Sequence, residues 1–286
     1  MPWLTNSLLK DLNDILLQYE KYIAQYDLPA LTSDNNDNNL MPRIIEKELS
    51  IKVPQEDLCS IERLNHDQSV DFKFIMNTFD RRESGVFFVD GPRGTRKIFF
   101  YRAIIADLRS KEGHIVLVTT SSGIAATLLP GGRTAHSRFK ILINAELFSI
   151  CNISKQCDLA KLIRQTAAII WDESPMANKE TMESLDHTLR DILENNNLSG
   201  GKVMVMGGDF RQVLPVVLKG NKSQLISASI VKSHLWAFTK ILHLRQNMRS
   251  LNDHDFVEYL MCTRDVIELT ICEDLVQIEA HMAILC

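Results

Sequence analysis

What this 286-residue chain lacks closes several classes of explanation. No C-x-x-C pair occurs among its six cysteines, Cys59, Cys151, Cys157, Cys262, Cys272 and Cys286, and no histidines accompany them at metal-ligand spacing. That excludes a cysteine-based zinc module and leaves buried or free thiols in a reducing compartment. No apolar run reaches about 18 residues and no signal peptide is seen, which reads as a soluble, intracellular chain with no membrane partner. There is no excess of positive charge: 32 Lys and Arg stand against 36 Asp and Glu, a formal net charge of -4. A globally basic nucleic-acid binder is thereby excluded. A local basic groove is not, because steering depends on where charge is placed.

With 45% hydrophobic residues, the chain can build one sizeable core, or one domain with an appended piece. Its centre is Gly85 to Ala106, GVFFVDGPRGTRKIFFYRAIIA. The apolar run Val86-Phe87-Phe88-Val89, bounded by turn residues, predicts a buried parallel strand. A loop from Asp90 to Arg96 follows, and Ile98, Tyr101, Ile104 and Ile105 then fall at helical spacing. Strand, loop and helix in this order are the setting of a phosphate-binding loop, whose backbone N–H groups and helix start face the phosphates. GPRGTRKI meets the G-x-x-x-x-G-K-[S/T] spacing in part. Gly91, Gly94 and Lys97 fit, whereas Arg96 stands at the second glycine and Ile98 replaces the hydroxyl that would hold magnesium. Glycine is wanted at that position because the backbone needs room and a positive φ. A chance strand-loop-helix is the alternative.

Before this centre, Leu8 to Ile23 recur at three and four residues and predict one amphipathic helix over Ser7 to Gln25, within a piece spanning residues 1–32. The polar tract SDNNDNN opens a linker with a short helix, residues 33–60. Asn65 is a plausible N-cap for a helix carrying Phe72, Ile75, Met76 and Phe79. Gln68, in its first turn, could pair with an adenine edge or simply be a surface glutamine.

After the centre come further apolar runs, each followed by polar residues. IVLVT, Ile115 to Thr119, leads into TSSGIAA and GGRTAHSRF, small and hydroxyl residues beside Arg133, His136, Arg138 and Lys140. These suit contacts to a nucleic-acid backbone, or equally form a solvated loop. Ala168 to Trp171 ends in Asp172-Glu173. Two carboxylates closing a buried strand are costly unless a partner neutralises them, as a magnesium ion on phosphate would; a helix N-cap is the plainer reading. Lys202 to Met206 runs into GGDFRQVLPVV, where an arginine and a glutamine could sense a terminal phosphate. Ile241 to Arg249 predicts a last strand delivering Arg249.

Taken together, GPRGTRKI, TSSGIAATLLPGGRTAHSRF, WDESPM, GGDFRQVLPVV and LRQNMR resemble the ordered motifs of the petite-integration-frequency (Pif) family of 5′-to-3′ DNA helicases, most closely its branch related to Helitron transposons. The resemblance covers about Leu64 to Ser250. It implies an α/β, RecA-like P-loop NTPase domain over residues 61–250, a mostly parallel sheet with a helical N-terminal extension, followed by an irregular tail over 251–286. It implies ATP and Mg2+ as cofactors, single-stranded DNA and a DNA fork or duplex junction as partners, and a nuclear location. By the same likeness, Gly91, Pro92, Arg93, Gly94, Thr95, Arg96, Lys97 and Ile98 form the phosphate loop, and Gln68 recognises adenine. Lys97 contacts the outer phosphates, Asp172 the metal, Glu173 the hydrolytic water and Gln212 the terminal phosphate, while Arg249 is an arginine finger. Ser122, Gly123, Thr134 and His136 line the single-strand channel. The family has glycine at Arg93 and Arg96 and a hydroxyl at Ile98, so weaker ATP binding and slower hydrolysis are expected, by an amount on the order of several kcal/mol. The family also continues into a second RecA-like domain, so a second helicase half or a partner protein is expected to complete the cleft. A non-catalytic, transposon-derived remnant is the competing expectation.

Overall fold

The computed structural model describes residues 41–92, 94–111, 113–142, 149–248, 270–272 and 275–276, with scattered positions between 9 and 29. The chain divides into two compact units, Met1–Pro42 and Arg43–Cys286. The first holds a 3-10 turn at Ile23–Gln25. The expected helix over Ser7 to Gln25 falls largely, and the polar tract SDNNDNN wholly, outside the described residues.

The second unit opens with α1 (Arg43–Leu49), α2 (Gln55–Leu58) and α3 (His66–Asp80). β1 (Gly85–Asp90) leads into α4 (Lys97–Ser110), and β2 (Ile115–Thr120) into α5 (Gly123–Ala126). β3 (Arg133–Thr134) and α6 (Ala135–Phe139) follow, then α7 (Asp158–Gln165), β4 (Thr166–Asp172) and α8 (Lys179–Leu193). β5 (Val203–Gly208), α9 (Lys222–Ala228) and β6 (Lys240–His243) complete the main body. A separate antiparallel pair joins β7 (Thr270–Cys272) and β8 (Leu275–Val276).

Six strands form one sheet in the order β3-β2-β4-β5-β1-β6, and every pairing within it is parallel. Strands covered on both faces read as continuous apolar runs, because each residue meets a helix on one side or the other. Val86 and Phe88 of β1 join one core cluster with Ile169 and Trp171 of β4 and Leu185 and Leu189 of α8. Phe87 and Val89 join the other, with Phe72 and Ile75 of α3 and Phe100, Ile104 and Leu108 of α4. The result is a three-layer α/β/α sandwich. Ile104 is fully buried, so trimming it to alanine would cost about 2–5 kcal/mol.

A buried ion cluster ties the segment ahead of α3 to this body. Glu48 of α1 pairs with Arg138 of α6 and lies 3.8 Å from Arg109 of α4, all three side chains being almost inaccessible. The arginines also donate to the chain, Arg138 to Gly131 O at 2.6 Å and Arg109 to Pro130 O at 3.2 Å. One carboxylate therefore holds two guanidinium groups against the turn before β3.

Three expectations change. GGRTAHSRF is no solvated loop: it forms β3 and α6, because Ala135, Arg138 and Phe139 are buried against the sheet and the ion cluster. The last strand is short, Lys240–His243, since Leu244 leaves the ladder after donating its N–H to Asp90 O at 2.9 Å. Gln68 is no surface residue, being 1% exposed.

Candidate functional site

Parallel sheets place the ends of their strands along one edge, and open α/β folds bind ligands there. β1, β4 and β5 are adjacent and end in Asp90, Asp172 and Gly208, the last followed at once by Asp209. Lys97, at the start of α4, donates to the carbonyl of Gly91 and sits in the field of four carboxylates. Burial pulls its ammonium below the usual value, while Asp172, Asp209, Asp90 and Glu173 oppose that shift. The sequence-predicted residues Lys97, Asp172 and Glu173 are thus brought together. Asp90 and Asp209 were missed; a carboxylate at the end of each apolar run was the signal.

Asp172 is 4% exposed, and its carboxyl is pushed up to about 6, chiefly by burial. The Glu173 amide and Lys97 act against that rise, and the Glu173 carboxylate adds to it. Its Oδ1 and Glu173 Oε2 are buried without a hydrogen-bond partner among the described residues. Glu173 stands at the N-cap position of a 3-10 turn, Ser174–Met176, in a left-handed conformation, φ 53°, and its side chain makes no capping hydrogen bond. Strain of this kind at a non-glycine residue costs on the order of 1–3 kcal/mol and clusters at functional sites.

The loop between β1 and α4, expected from its sequence to bind phosphate, is closed by its own contacts. Thr95 Oγ1 donates to Pro92 O at 2.8 Å, and Met248 N donates to Gly94 O at 2.8 Å. Gly94 has φ +91°, and an added β-carbon there would overlap the Asn247 amide. Arg96 adopts φ 57°, so the left-handed conformation expected of a glycine is present but occupied by arginine. Ile98 is partly buried and packs against the apolar cluster of α3 and α4. Arg93 lies outside the described residues.

Gln68 is bound at both ends of its amide. Its Oε1 accepts from Asn65 N at 3.2 Å and its Nε2 donates to Thr95 O at 3.0 Å, while Asn65 caps α3 in return. Gln212 donates to the Asp209 carboxylate, which also accepts from Arg211 N at 3.0 Å, so the glutamine is held beside the acidic cluster. Arg249 lies outside the described residues; its neighbour Met248 is the one bonded to the phosphate loop.

The remaining candidates sit farther along the same edge, at β2 and β3. Ser122 Oγ accepts from Ala125 N at 3.2 Å and Thr134 Oγ1 from Ser137 N at 3.4 Å, each capping a short helix. Gly123 has open space where a β-carbon would stand, and the next residue, Ile124, is 84% exposed. Burial pulls the His136 imidazole below its ordinary value. Ser121 links the two regions: its N–H donates to Asp172 O at 3.2 Å and its hydroxyl accepts from Trp171 Nε1 at 3.1 Å.

Four carboxylates around one lysine leave an excess of negative charge that suits a divalent cation. Among the described residues, no three His, Cys, Asp or Glu side chains form a self-sufficient metal cage.

A family model described as PIF1-like helicase matches residues 63–263. The chain is similar to the ATP-dependent DNA helicase Pif1 of Psychrobacter sp., 30% identical over 57% of this chain and 25% of that protein. It is likewise similar to the ATP-dependent DNA helicase PIF1 of Candida albicans, 31% identical over 64% of this chain and 21% of the relative. Among solved structures, Pif1 helicase from Candida albicans superposes with a TM-score of 0.55 and 26% identity, covering 70% of this chain and 44% of that one. Bacteroides Pif1 in complex with ADP-AlF3 and single-stranded DNA gives a TM-score of 0.56 at 26% identity, covering 68% and 46%. The chain therefore spans about a quarter of the length of these curated relatives.

Proposed function

The chain belongs to the PIF1-like helicase family, and from that membership we propose that residues 61–250 form the first motor domain of an ATP-dependent 5′-to-3′ DNA helicase. The observation that carries this is the field of Asp172, Asp209, Asp90 and Glu173 around Lys97 at the ends of three adjacent strands. In this reading, Lys97 leaves the Gly91 carbonyl to meet the outer phosphates of ATP. Asp172 would hold magnesium, which would supply neutralisation of phosphate charge. Glu173, strained and with one oxygen unpaired, orients the attacking water and accepts its proton. Gln212, tethered to Asp209, senses whether the terminal phosphate is there, and Arg249 enters as the arginine finger. Gln68 keeps one amide hydrogen and one lone pair for an adenine edge while holding the loop in register.

Single-stranded DNA lies along β2 and β3, against Ser122, Gly123, Thr134 and His136. Contacts of this kind follow the backbone and stack on bases, with little sequence preference. Ser121 is the mechanical link, since it bonds the strand that ends in Asp172. A second helicase half or a partner protein completes the cleft, because translocation needs two bodies that close and open around ATP. Forked or junction DNA, a nuclear setting, and work in repair, recombination and telomere maintenance follow from the family rather than from a feature of this chain.

A second reading has its own support. Arg96 in a left-handed conformation and apolar Ile98 both depart from what a phosphate loop needs, and they favour a non-catalytic nucleotide- or DNA-binding remnant. ATP hydrolysis with and without single-stranded DNA separates the two. Turnover stimulated by DNA and abolished by Glu173→Gln is expected of the motor domain; no hydrolysis at saturating ATP and magnesium would leave the remnant.

A further inference from the structure

Tyr101 lies one turn beyond Lys97 on α4 and is fully buried; its hydroxyl falls short of full hydrogen-bond geometry with any described residue, and the one group it interacts with is the Asp172 carboxyl. A buried hydroxyl left short of a full hydrogen bond costs part of the roughly 1–3 kcal/mol of an unmet one, so phenylalanine would serve the core at least as well unless the oxygen has another use. Its surroundings say which. The hydroxyl reaches across β5, where a β-carbon on Gly207 would overlap it, and stops beside the Asp172 carboxyl, whose Oδ1 is also buried and unpaired. A phenol donor and a carboxylate acceptor face each other across a gap small enough for each to shift the other's proton affinity. The first of the two glycines in GGDFRQ is thereby explained: it is the only residue that leaves the phenol its path.

We propose that Tyr101 is a positioning residue for the metal-holding carboxylate: its O–H closes onto Asp172 when a magnesium nucleotide binds, fixing one oxygen so that the other faces the cation. The proposal rests on the nucleotide site proposed above and deepens it. Ordinarily the first helical turn would contribute a hydroxyl, but Ile98 is turned toward the apolar cluster and offers no oxygen. Orientation of Asp172, the carboxylate assigned to the metal, then matters more, and a donor from beneath the sheet edge supplies it. Outer partners of this kind typically set metal affinity by about 10- to 100-fold.

The test is binding of a fluorescent ATP analogue to the full chain with MgCl2 and with EDTA, alongside thermal unfolding. In wild type, magnesium should tighten binding. Tyr101→Phe should fold at least as stably and bind the analogue equally in EDTA, but lose about 10-fold of the magnesium increment. Gly207→Ala should lose the increment as well and lower the melting temperature, and adding Tyr101→Phe to it should recover stability without recovering the increment. An unchanged increment in Tyr101→Phe overturns the tyrosine assignment alone. Wild-type chain that binds no analogue under either condition overturns the nucleotide site, and this assignment with it.

Discussion

The side-chain amide of Gln68 donates to the carbonyl of Thr95 at 3.0 Å, joining the first turn of α3 to the middle of the phosphate loop. Both groups are 1% exposed, so neither has water as a substitute partner. Gln68→Ala would orphan the Thr95 carbonyl and remove half of the Asn65 capping box. A loss of about 2 kcal/mol in urea unfolding is expected from the unmet groups. ATP affinity should fall with it. Gln68→Glu should be worse than alanine for nucleotide, because it keeps the acceptor toward Asn65 but sets a carboxylate against the Thr95 carbonyl.

Arg96 offers the opposite kind of test. A left-handed conformation costs an L-residue about 1–2 kcal/mol, part of which glycine gives back through its more flexible unfolded chain. Arg96→Gly should therefore raise stability by about 0.5–1 kcal/mol, visible as a higher melting temperature. Adding Ile98→Thr should tighten binding of the magnesium nucleotide, since it returns an oxygen to the first turn. If the double variant gains stability but no nucleotide affinity, the remnant reading is favoured.

How far the sequence alone reaches is decided by distance along the chain. β1, β2, β4 and β5 are legible because a strand covered on both faces must be apolar throughout, and the motifs follow each run directly. The left-handed Arg96 is legible too, as the residue standing where glycine belongs. β3 is not, because Arg133 and Thr134 carry no strand signal and owe their pairing to Thr119 and Thr120. Nor is the burial of Gln68, which depends on Thr95 lying 27 residues away. Tyr101 looks like one more apolar residue of α4 until Gly207 and Asp172 are placed beside it. Contacts made by tertiary packing leave no period in the sequence.

The Glu48 cluster makes a stability prediction of its own. Removing one partner of a buried ion pair costs about 3–5 kcal/mol, since the other charge is left unpaired in a poor solvent. Glu48→Gln strands two guanidinium groups, Arg138 and Arg109, and should fall at or beyond the top of that range. Arg109→Met should be milder in guanidinium unfolding, because it leaves one Glu48–Arg138 pair in balance. Equal losses in the two variants would show that the carbonyl bonds of Arg109, not charge, dominate.

Asp172 ties stability to pH. In the unfolded chain its carboxyl ionises near the ordinary 3.8, and in the fold only at about 6. Between those values the folded state holds more protons, so the contribution to stability is fullest below 3.8 and is lost as pH rises through about 6. Asp172→Asn should remove that slope and be the more stable protein well above pH 6 by about 3 kcal/mol. Asp71, also raised to about 6 by burial and by Asp67, gives a slope of the same sign. Magnesium-dependent nucleotide binding should run the other way, strengthening as pH rises through 6, because the metal requires the ionised carboxylate.

The edge at β2 and β3 can be tested apart from nucleotide. Among the described residues nothing comes near a β-carbon built at Gly123, so a side chain there would change the exposed edge and leave the packing alone. Gly123→Val should leave the melting temperature within about 0.5 kcal/mol of wild type, as surface substitutions do. It should nonetheless weaken single-stranded DNA binding by blocking close approach of the strand. His136, held below its ordinary proton affinity by burial, would offer a strand on this edge a neutral ring and not a charge. His136→Ala should therefore lower DNA affinity by about 1–3 kcal/mol without changing the salt slope, whereas Arg133→Ala should flatten the slope. Fluorescence anisotropy of a labelled oligothymidylate across a salt series reads both quantities, and Gly123→Val binding as tightly as wild type would move the DNA track off this edge.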